Sequence, residues 1–246
     1  MKPVHYPRST TFLAVLLATT GLVAASDKKS QSLEIRVTAN GTSGSSSSFH
    51  LNGELDWERR EKTSVWDADV WARFQNGSGG AFSNRNYGAR LGSRFDLNSH
   101  GMYGFGEAYG EVDDKRNVRM RGDVIGGVGK YFIETHDTQF RAQVGLGYVW
   151  LNQSNPTDTD NYVGAYAGWS LNRSLSREWN LEHNMRFISN INGFRDVFFV
   201  TDLKLRARIN DKTSAYFSIE QHYDSLINDT PSRNRFTYST GISYKF

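Results

Sequence analysis

The chain has 246 residues, a formal net charge of +3 at pH 7 and no cysteine. The lack of thiols excludes disulfides, thiolate catalysis, Cys-ligated zinc and a lipid anchor attached through Cys. A mean hydropathy of −0.58 excludes a bundle of membrane-spanning helices, but not a barrel in which half of every strand faces a polar interior.

Residues 1–25 carry Lys2, His5 and Arg8, then an apolar run from Phe12 to Ala25 with small residues at Val23-Ala24-Ala25. This pattern predicts a secretory signal peptide cut after Ala25. The run is short for a transmembrane helix, and no other apolar run approaches spanning length. Removing Lys2 and Arg8 lowers the net charge from +3 to about +1. The overall basicity therefore gives no argument for a nucleic-acid partner. The remainder, 26–246, reads as a single domain rich in Gly, Tyr, Phe and Trp with only 4 Pro, a composition suited to an aromatic-girdled barrel.

From there the chain alternates apolar and polar residues with period two, predicting about twelve strands. Outward faces begin with Leu33, Ile35 and Val37, then Leu51, Leu55 and Trp57, then Trp66, Ala68, Val70, Ala72 and Phe74, then Tyr87, Ala89, Leu91 and Phe95. Around 102–112, Gly104, Gly106 and Gly110 share one face, while Tyr103, Phe105, Glu107, Tyr109 and Glu111 share the other. Carboxylates are costly against lipid, so the Glu face is turned inward. Gly126-Gly127 is expected to mark a bulge. Later outward faces are clearer: Phe140, Ala142, Val144, Leu146, Tyr148 and Trp150; Val163, Ala165, Ala167 and Trp169; Trp179, Leu181, Met185 and Phe187, with His183 on the same greasy face. Strands ten and eleven present Val197, Phe199, Leu203 and Leu205, then Ala215, Phe217 and Ile219. Short links near 60–63, 98–101, 133–138, 172–177 and 210–212 are expected to alternate with longer polar ones, as in an up-and-down barrel.

The last strand places Phe236, Tyr238, Ile242, Tyr244 and Phe246 on one face and ends on an aromatic residue. It resembles the closing strand of bacterial outer-membrane barrels, the segment that the barrel assembly machinery reads. The stretch YGFGEAYGEVDDKRNVRMRGDVIGGVGKYF at 103–132 resembles the salt-induced outer-membrane barrels grouped as a domain of unknown function, DUF481. The shared features are an aromatic-Gly-Phe strand, the Glu111/Asp113 corner, Arg121, the Gly127-x-Gly129-x-Tyr131-Phe132 strand, the closing strand and the overall length. The chain departs from the family in the first loop, reading Asn40-Gly41-Thr42. The resemblance implies the barrel and the outer membrane, and no activity.

Motifs for chemistry are weak. Gly126-Gly127-x-Gly129-Lys130 lies inside a strand pattern with no following helix, so its amides belong to a sheet ladder and not to a phosphate. Asp158-x-Asp160-Asn161 has calcium-like spacing but no glycine turn or later Glu. His222 and Asp224 share an inward face, whereas an outer-membrane lipase needs Ser and His together on the lipid side. No catalytic, metal or cofactor residue is assigned.

The informative constellation is inside the barrel. Glu54, Asp56 and Glu58 face inward, as do Asp67 and Asp69, with Asp56 expected opposite Asp67 and Glu54 opposite Asp69. Like charges in these positions are unfavourable. Arg90 and Arg94 face them, Glu107 lies on the next strand, and Arg141, Arg186, Lys204, Arg206 and Arg208 lie on the basic side. Four acids against two nearby arginines predict a local negative excess and a preference for cations.

The sequence thus predicts an all-β transmembrane antiparallel barrel of about twelve strands in the outer membrane of a Gram-negative bacterium. It is expected to be a monomer, in contact with lipids and lipopolysaccharide and, during biogenesis, with the assembly machinery. The leading reading is a passive pore for small polar or ionic solutes. A structural or stress-response barrel with a plugged, salt-bridged lumen stands beside it, and a lipid-modifying enzyme is the lesser alternative.

Overall fold

The computed structural model describes residues 31–246 apart from 43–47, 77–81, 99, 154–158, 195 and 228–232. The expected signal segment and Asp158 lie outside the described residues. The described residues form strands β1 (Gln31–Thr42), β2 (Ser48–Arg60), β3 (Ser64–Asn76), β4 (Phe82–Asp96), β5 (Met102–Asp113) and β6 (Val118–Glu134), followed by β7 (Thr138–Gln153), β8 (Thr159–Ser174), β9 (Trp179–Asn190), β10 (Val197–Arg208), β11 (Thr213–Asp224) and β12 (Asn234–Lys245). They close into one barrel, each strand beside its sequence neighbour and β12 back beside β1. Closure gives every strand two partners and leaves no edge of unpaired backbone groups. The seam pairs Ile35 with Tyr244 and Val37 with Ile242, and the Phe246 amide donates to the Leu33 carbonyl at 3.0 Å.

Period two governs the whole wall. In β5 the residues Tyr103, Phe105, Glu107, Tyr109, Glu111 and Asp113 are all buried, while the glycines between them are only half-buried. The carboxylate argument therefore placed this strand the right way round. The outer surface carries a continuous apolar set, with Val37, Leu91, Val124, Val144, Leu146, Phe217, Tyr238 and Ile242 all exposed. In water a surface of this kind drives association. Against lipid tails it is the matching surface.

Three sequence expectations are corrected. The β2–β3 hairpin turns tightly at 61–63, with the Glu61 amide donating to the Ser64 carbonyl at 2.8 Å. Asp56 therefore lies opposite Asp69, Glu58 opposite Asp67 and Glu54 opposite Trp71. The register is offset by two residues from the expected one, which preserves every face and changes every partner. Gly126 and Gly127 sit in unbroken register, and the irregularities of β6 fall at Val118/Met120 and Tyr131/Ile133. Finally, the links at the two ends differ less in length than expected. Strands β4, β6, β7 and β8 run to 15–17 residues, so polar stretches read as loops continue the ladder. Asn40-Gly41-Thr42 is likewise part of β1. The long connection that remains is 225–233, between β11 and β12.

The short-turn end is ringed by aromatics. Trp66 meets Phe95 edge-on at 5.6 Å, Tyr244 meets Phe246 at 4.8 Å, and Phe132 lies 5.9 Å from Phe140. Trp179 is exposed on the same rim, and Trp169 is exposed further along the wall, at the rung of Met185. Trp150 and Tyr148, 6.4 Å apart, lie toward the other end. Amphipathic rings favour the two lipid–water boundaries. In liposomes, lipids brominated near the headgroup should therefore quench this tryptophan emission more than lipids brominated at the tail end. The reverse order would place the rings at the bilayer centre and overturn the outward register.

Candidate functional site: a charged lumen

The barrel interior is filled by guanidinium–carboxylate pairs because period two sends every second residue inward, and these positions are charged. On the acidic wall Asp67, Asp69 and Glu107 all converge on Arg90, at 2.6, 2.6 and 3.0 Å. Arg94 lies 3.5 Å from Asp67 and 3.7 Å from Glu58. Glu54 and Asp56 are held by Arg36 of β1 at 2.8 and 2.6 Å. Arg73 of β3 adds a contact to Glu54 at 3.6 Å. The structure thus brings Glu54, Asp56, Asp67, Asp69, Arg90, Arg94 and Glu107 onto one side of the lumen. It also corrects the expected negative excess, because Arg36 and Arg73 join Arg90 and Arg94 to match the four acids. Both lie at inward parity, Arg36 between Ile35 and Val37 and Arg73 between Ala72 and Phe74, so alternation alone pointed to them.

The pairs that cross the lumen are a second set. Arg73 forms a two-pronged bridge to Glu220 of β11, at 2.6 and 2.7 Å. Arg186 of β9 reaches Glu107 of β5 at 2.8 Å and also pairs with Asp123 of β6. Arg121 of β6 pairs with Asp224 of β11, with side chains 0% and 1% exposed. Arg235 of β12 pairs with Asp113 of β5. In a ring of twelve strands these partners are three to five positions apart, so the side chains meet through the interior and not along the wall.

Around the bridges at the end away from the short turns, the lumen is packed. Arg116, from the turn 114–116, is 1% exposed and lies 3.6 Å from Glu111 and 4.0 Å from Asp224. Arg121 stacks 3.5 Å over the Phe198 ring, and Arg186 lies 4.6 Å from the Tyr109 ring. Tyr109, Ile125, Val149, Tyr162, Ile188 and Phe198 form an apolar layer, capped by Val118, Leu151 and Ile227. Ile227, three residues after β11, is 1% exposed, so its side chain is part of the closure. Glycines make room for the rings. A side chain at Gly129, nearer the short turns, would strike the inward Tyr103 ring, and on the outer face one at Gly122 would strike the Trp150 indole.

Below this layer lies a chamber of about 330 Å³, bordered by Arg36, Asp56, Asp69, Arg141, Asp202 and Lys204 among others. Its size is at the lower end for small-molecule pockets.

His222 lies in the buried interior, 2.7 Å from Glu220. His183 faces outward. Trp169 Nε1 donates to His183 Nδ1 at 3.2 Å, His183 Nε2 lies 3.0 Å from Thr201 Oγ1, and Thr201 donates to the Asn184 carbonyl at 3.0 Å. An indole N–H can only donate. Nδ1 is therefore the acceptor, Nε2 carries the proton, and His183 cannot take one from Thr201. The chain of bonds satisfies every polar atom of this histidine on the lipid side. Gly126, Gly127 and Gly129 are ladder residues of β6, as expected of a strand and not of a phosphate loop. Among the described residues no group of three or more His, Asp and Glu could hold a metal ion.

Comparison with known proteins places this architecture. The NanC porin shares 12% identity with a TM-score of 0.55, the alignment covering 87% of this chain and all of that one. The translocator domain of the autotransporter NalP from Neisseria meningitidis shares 11% identity over 96% of this chain and 95% of that chain, with a TM-score of 0.48. An outer-membrane channel from Pseudomonas putida F1 shares 10% identity over 88% and 94%, with a TM-score of 0.47. At such identities the likeness to the NanC porin is one of fold, the closed barrel of outer-membrane porins. No curated protein matches the sequence. The family described as "Protein of unknown function, DUF481" matches residues 35–246, and the chain belongs to that family.

Proposed function

We propose that this chain is an outer-membrane barrel of a Gram-negative bacterium whose lumen is sealed at one end in its resting state, over a charged chamber of small-molecule size. The observation that carries the reading is the layer of cross-lumen bridges, Arg121–Asp224 and Arg235–Asp113 above Arg73–Glu220 and Arg186–Glu107. Arg121, Asp224 and Asp113 are nearly inaccessible to solvent, and the side chains of the other bridges are at most 19% exposed. Ions need a continuous hydrated path, and charges paired and desolvated in this way supply none. The apolar outer face supports the membrane location. Lipids and lipopolysaccharide are then its surroundings, the assembly machinery its partner at the closing strand, and the monomer its working form.

A passive pore is the second reading, favoured by the chamber and by Asp56, Asp69 and Arg90, whose side chains keep 27%, 30% and 30% exposure. Enzymatic action on lipid is the weakest reading, because the outward His183 is arranged as a proton donor to Thr201 and not as its base. Liposome swelling tests the choice. Liposomes carrying the folded protein should swell no faster in arabinose than empty ones, and rapid size-dependent swelling would establish the passive pore instead.

A further inference from the structure

One wall of the chamber carries hydrogen-bond donors with no acceptor. Arg141 of β7 lines the chamber, and no carboxylate lies within 4.0 Å of it among the described residues, whereas the neighbouring lumen arginines are all paired. Its direct partner across the β7–β8 ladder is Ser170, which also lines the chamber. The third donor is set by a relay. The Tyr103 hydroxyl donates to Gln143 Oε1 at 3.1 Å, and Gln143 Nε2 donates to the Tyr166 hydroxyl oxygen at 2.8 Å. The Tyr166 oxygen is thereby an acceptor, which leaves its own hydrogen free to donate, and Tyr166 lines the chamber. Gly168 makes the placement possible, since a Cβ there would stand 2.5 Å from the Tyr166 hydroxyl. The ring lies back along β8 toward Ser170 and Arg141.

The opposite wall has the reverse character. Asp56 and Asp69 face each other across the β2–β3 ladder; Arg36 holds Asp56 through Oδ1 and Arg90 holds Asp69 through Oδ2, both at 2.6 Å, and the buried Asp56 Oδ2 has no hydrogen-bond partner. One oxygen of each carboxylate is thus left without a cation, and both side chains line the chamber, 27% and 30% exposed.

We infer that the chamber binds a small zwitterion, with its carboxylate on Arg141, Ser170 and the Tyr166 hydroxyl and its ammonium group toward Asp56 and Asp69. A planar guanidinium with uncommitted donors suits a carboxylate in two-pronged contact. The acidic wall disfavours a dianion, and Arg141 disfavours a simple cation. The assignment rests on reading the lumen as a chamber.

The test uses ligand-observed NMR with the folded full-length barrel in lipid nanodiscs, empty nanodiscs as the reference, and 4-aminobutyrate, butyrate and butylammonium as probes. 4-Aminobutyrate should bind at least tenfold more tightly than butylammonium and more tightly than butyrate. Arg141→Gln should weaken it at least tenfold and Tyr166→Phe several-fold, with heat-modifiable migration unchanged because Arg141 has no ion pair to lose. No binding beyond empty nanodiscs, or binding unchanged in Arg141→Gln, would overturn the site. Equal binding of butyrate and 4-aminobutyrate would overturn the zwitterion class. Swelling by wild-type liposomes would count against the sealed lumen alone, so the two claims fail separately.

Discussion

Arg121→Gln should unseal the barrel. Arg121 and Asp224 are buried together, the guanidinium stacked on Phe198, and Arg116 is the other cation near Asp224 at 4.0 Å. Removing one partner of a buried ion pair leaves the other charged and desolvated, at a cost of about 3–5 kcal/mol. The backbone ladder is untouched, so the barrel should still close. The loss falls on the closure layer, which regains hydration for Asp224 by loosening. The expected result is a folded, heat-modifiable protein with a lower denaturation midpoint and current fluctuations absent from wild type. The double change Arg121→Met with Asp224→Leu should recover both stability and closure, because matched apolar side chains can replace a buried pair at little or no net cost. If Arg121→Gln matches wild type in stability and in current, the pair is not part of a seal.

Gly127→Val should prevent folding altogether. Gly127 faces inward opposite Gly145 of β7. A Cβ at position 127 would collide with the Val144 carbonyl oxygen, stand 2.6 Å from the Gly145 Cα and 2.8 Å from the Phe105 ring. Two of these neighbours are backbone, which moves only if the β6–β7 ladder opens. Gly53→Ala is the matched control, because a Cβ there meets nothing within 4 Å. Its effect should stay within about 0.5 kcal/mol, as for an ordinary surface change. The comparison is read from heat-modifiable migration and outer-membrane yield. Normal yield of Gly127→Val would mean that β6 and β7 do not approach as closely as described.

This pair of glycines also marks where the sequence was legible and where it was not. Alternation gave the strands and most of their faces, because burial against lipid imposes period two on a barrel wall, and the cost of a carboxylate against lipid gave the inward side of Glu107. Gly126-Gly127 was read as a bulge because glycine serves both bulges and close approaches, and which one applies depends on the Phe105 ring and the neighbouring strand. The β2–β3 register slipped by two for a related reason, since a two-residue offset keeps all faces and so leaves no trace in the pattern. Arg36 and Arg73 were visible by parity, but their partners were not. A bridge such as Arg73–Glu220 joins residues from β3 and β11, and only closure of the ring brings those strands face to face. The balance between a pore and a plug hangs on such bridges, which is why the acidic wall looked unneutralised in one dimension and is neutralised in three.

The sealed lumen is tested most directly by single-channel recording from the folded wild-type protein in planar bilayers at 1 M salt. Paired charges buried in the closure layer are little affected by added salt, so this reading holds at high ionic strength as well as low. The expected result is a baseline without steps under conditions in which Arg121→Gln shows them. Regular, ohmic steps from wild-type protein of verified fold would contradict it.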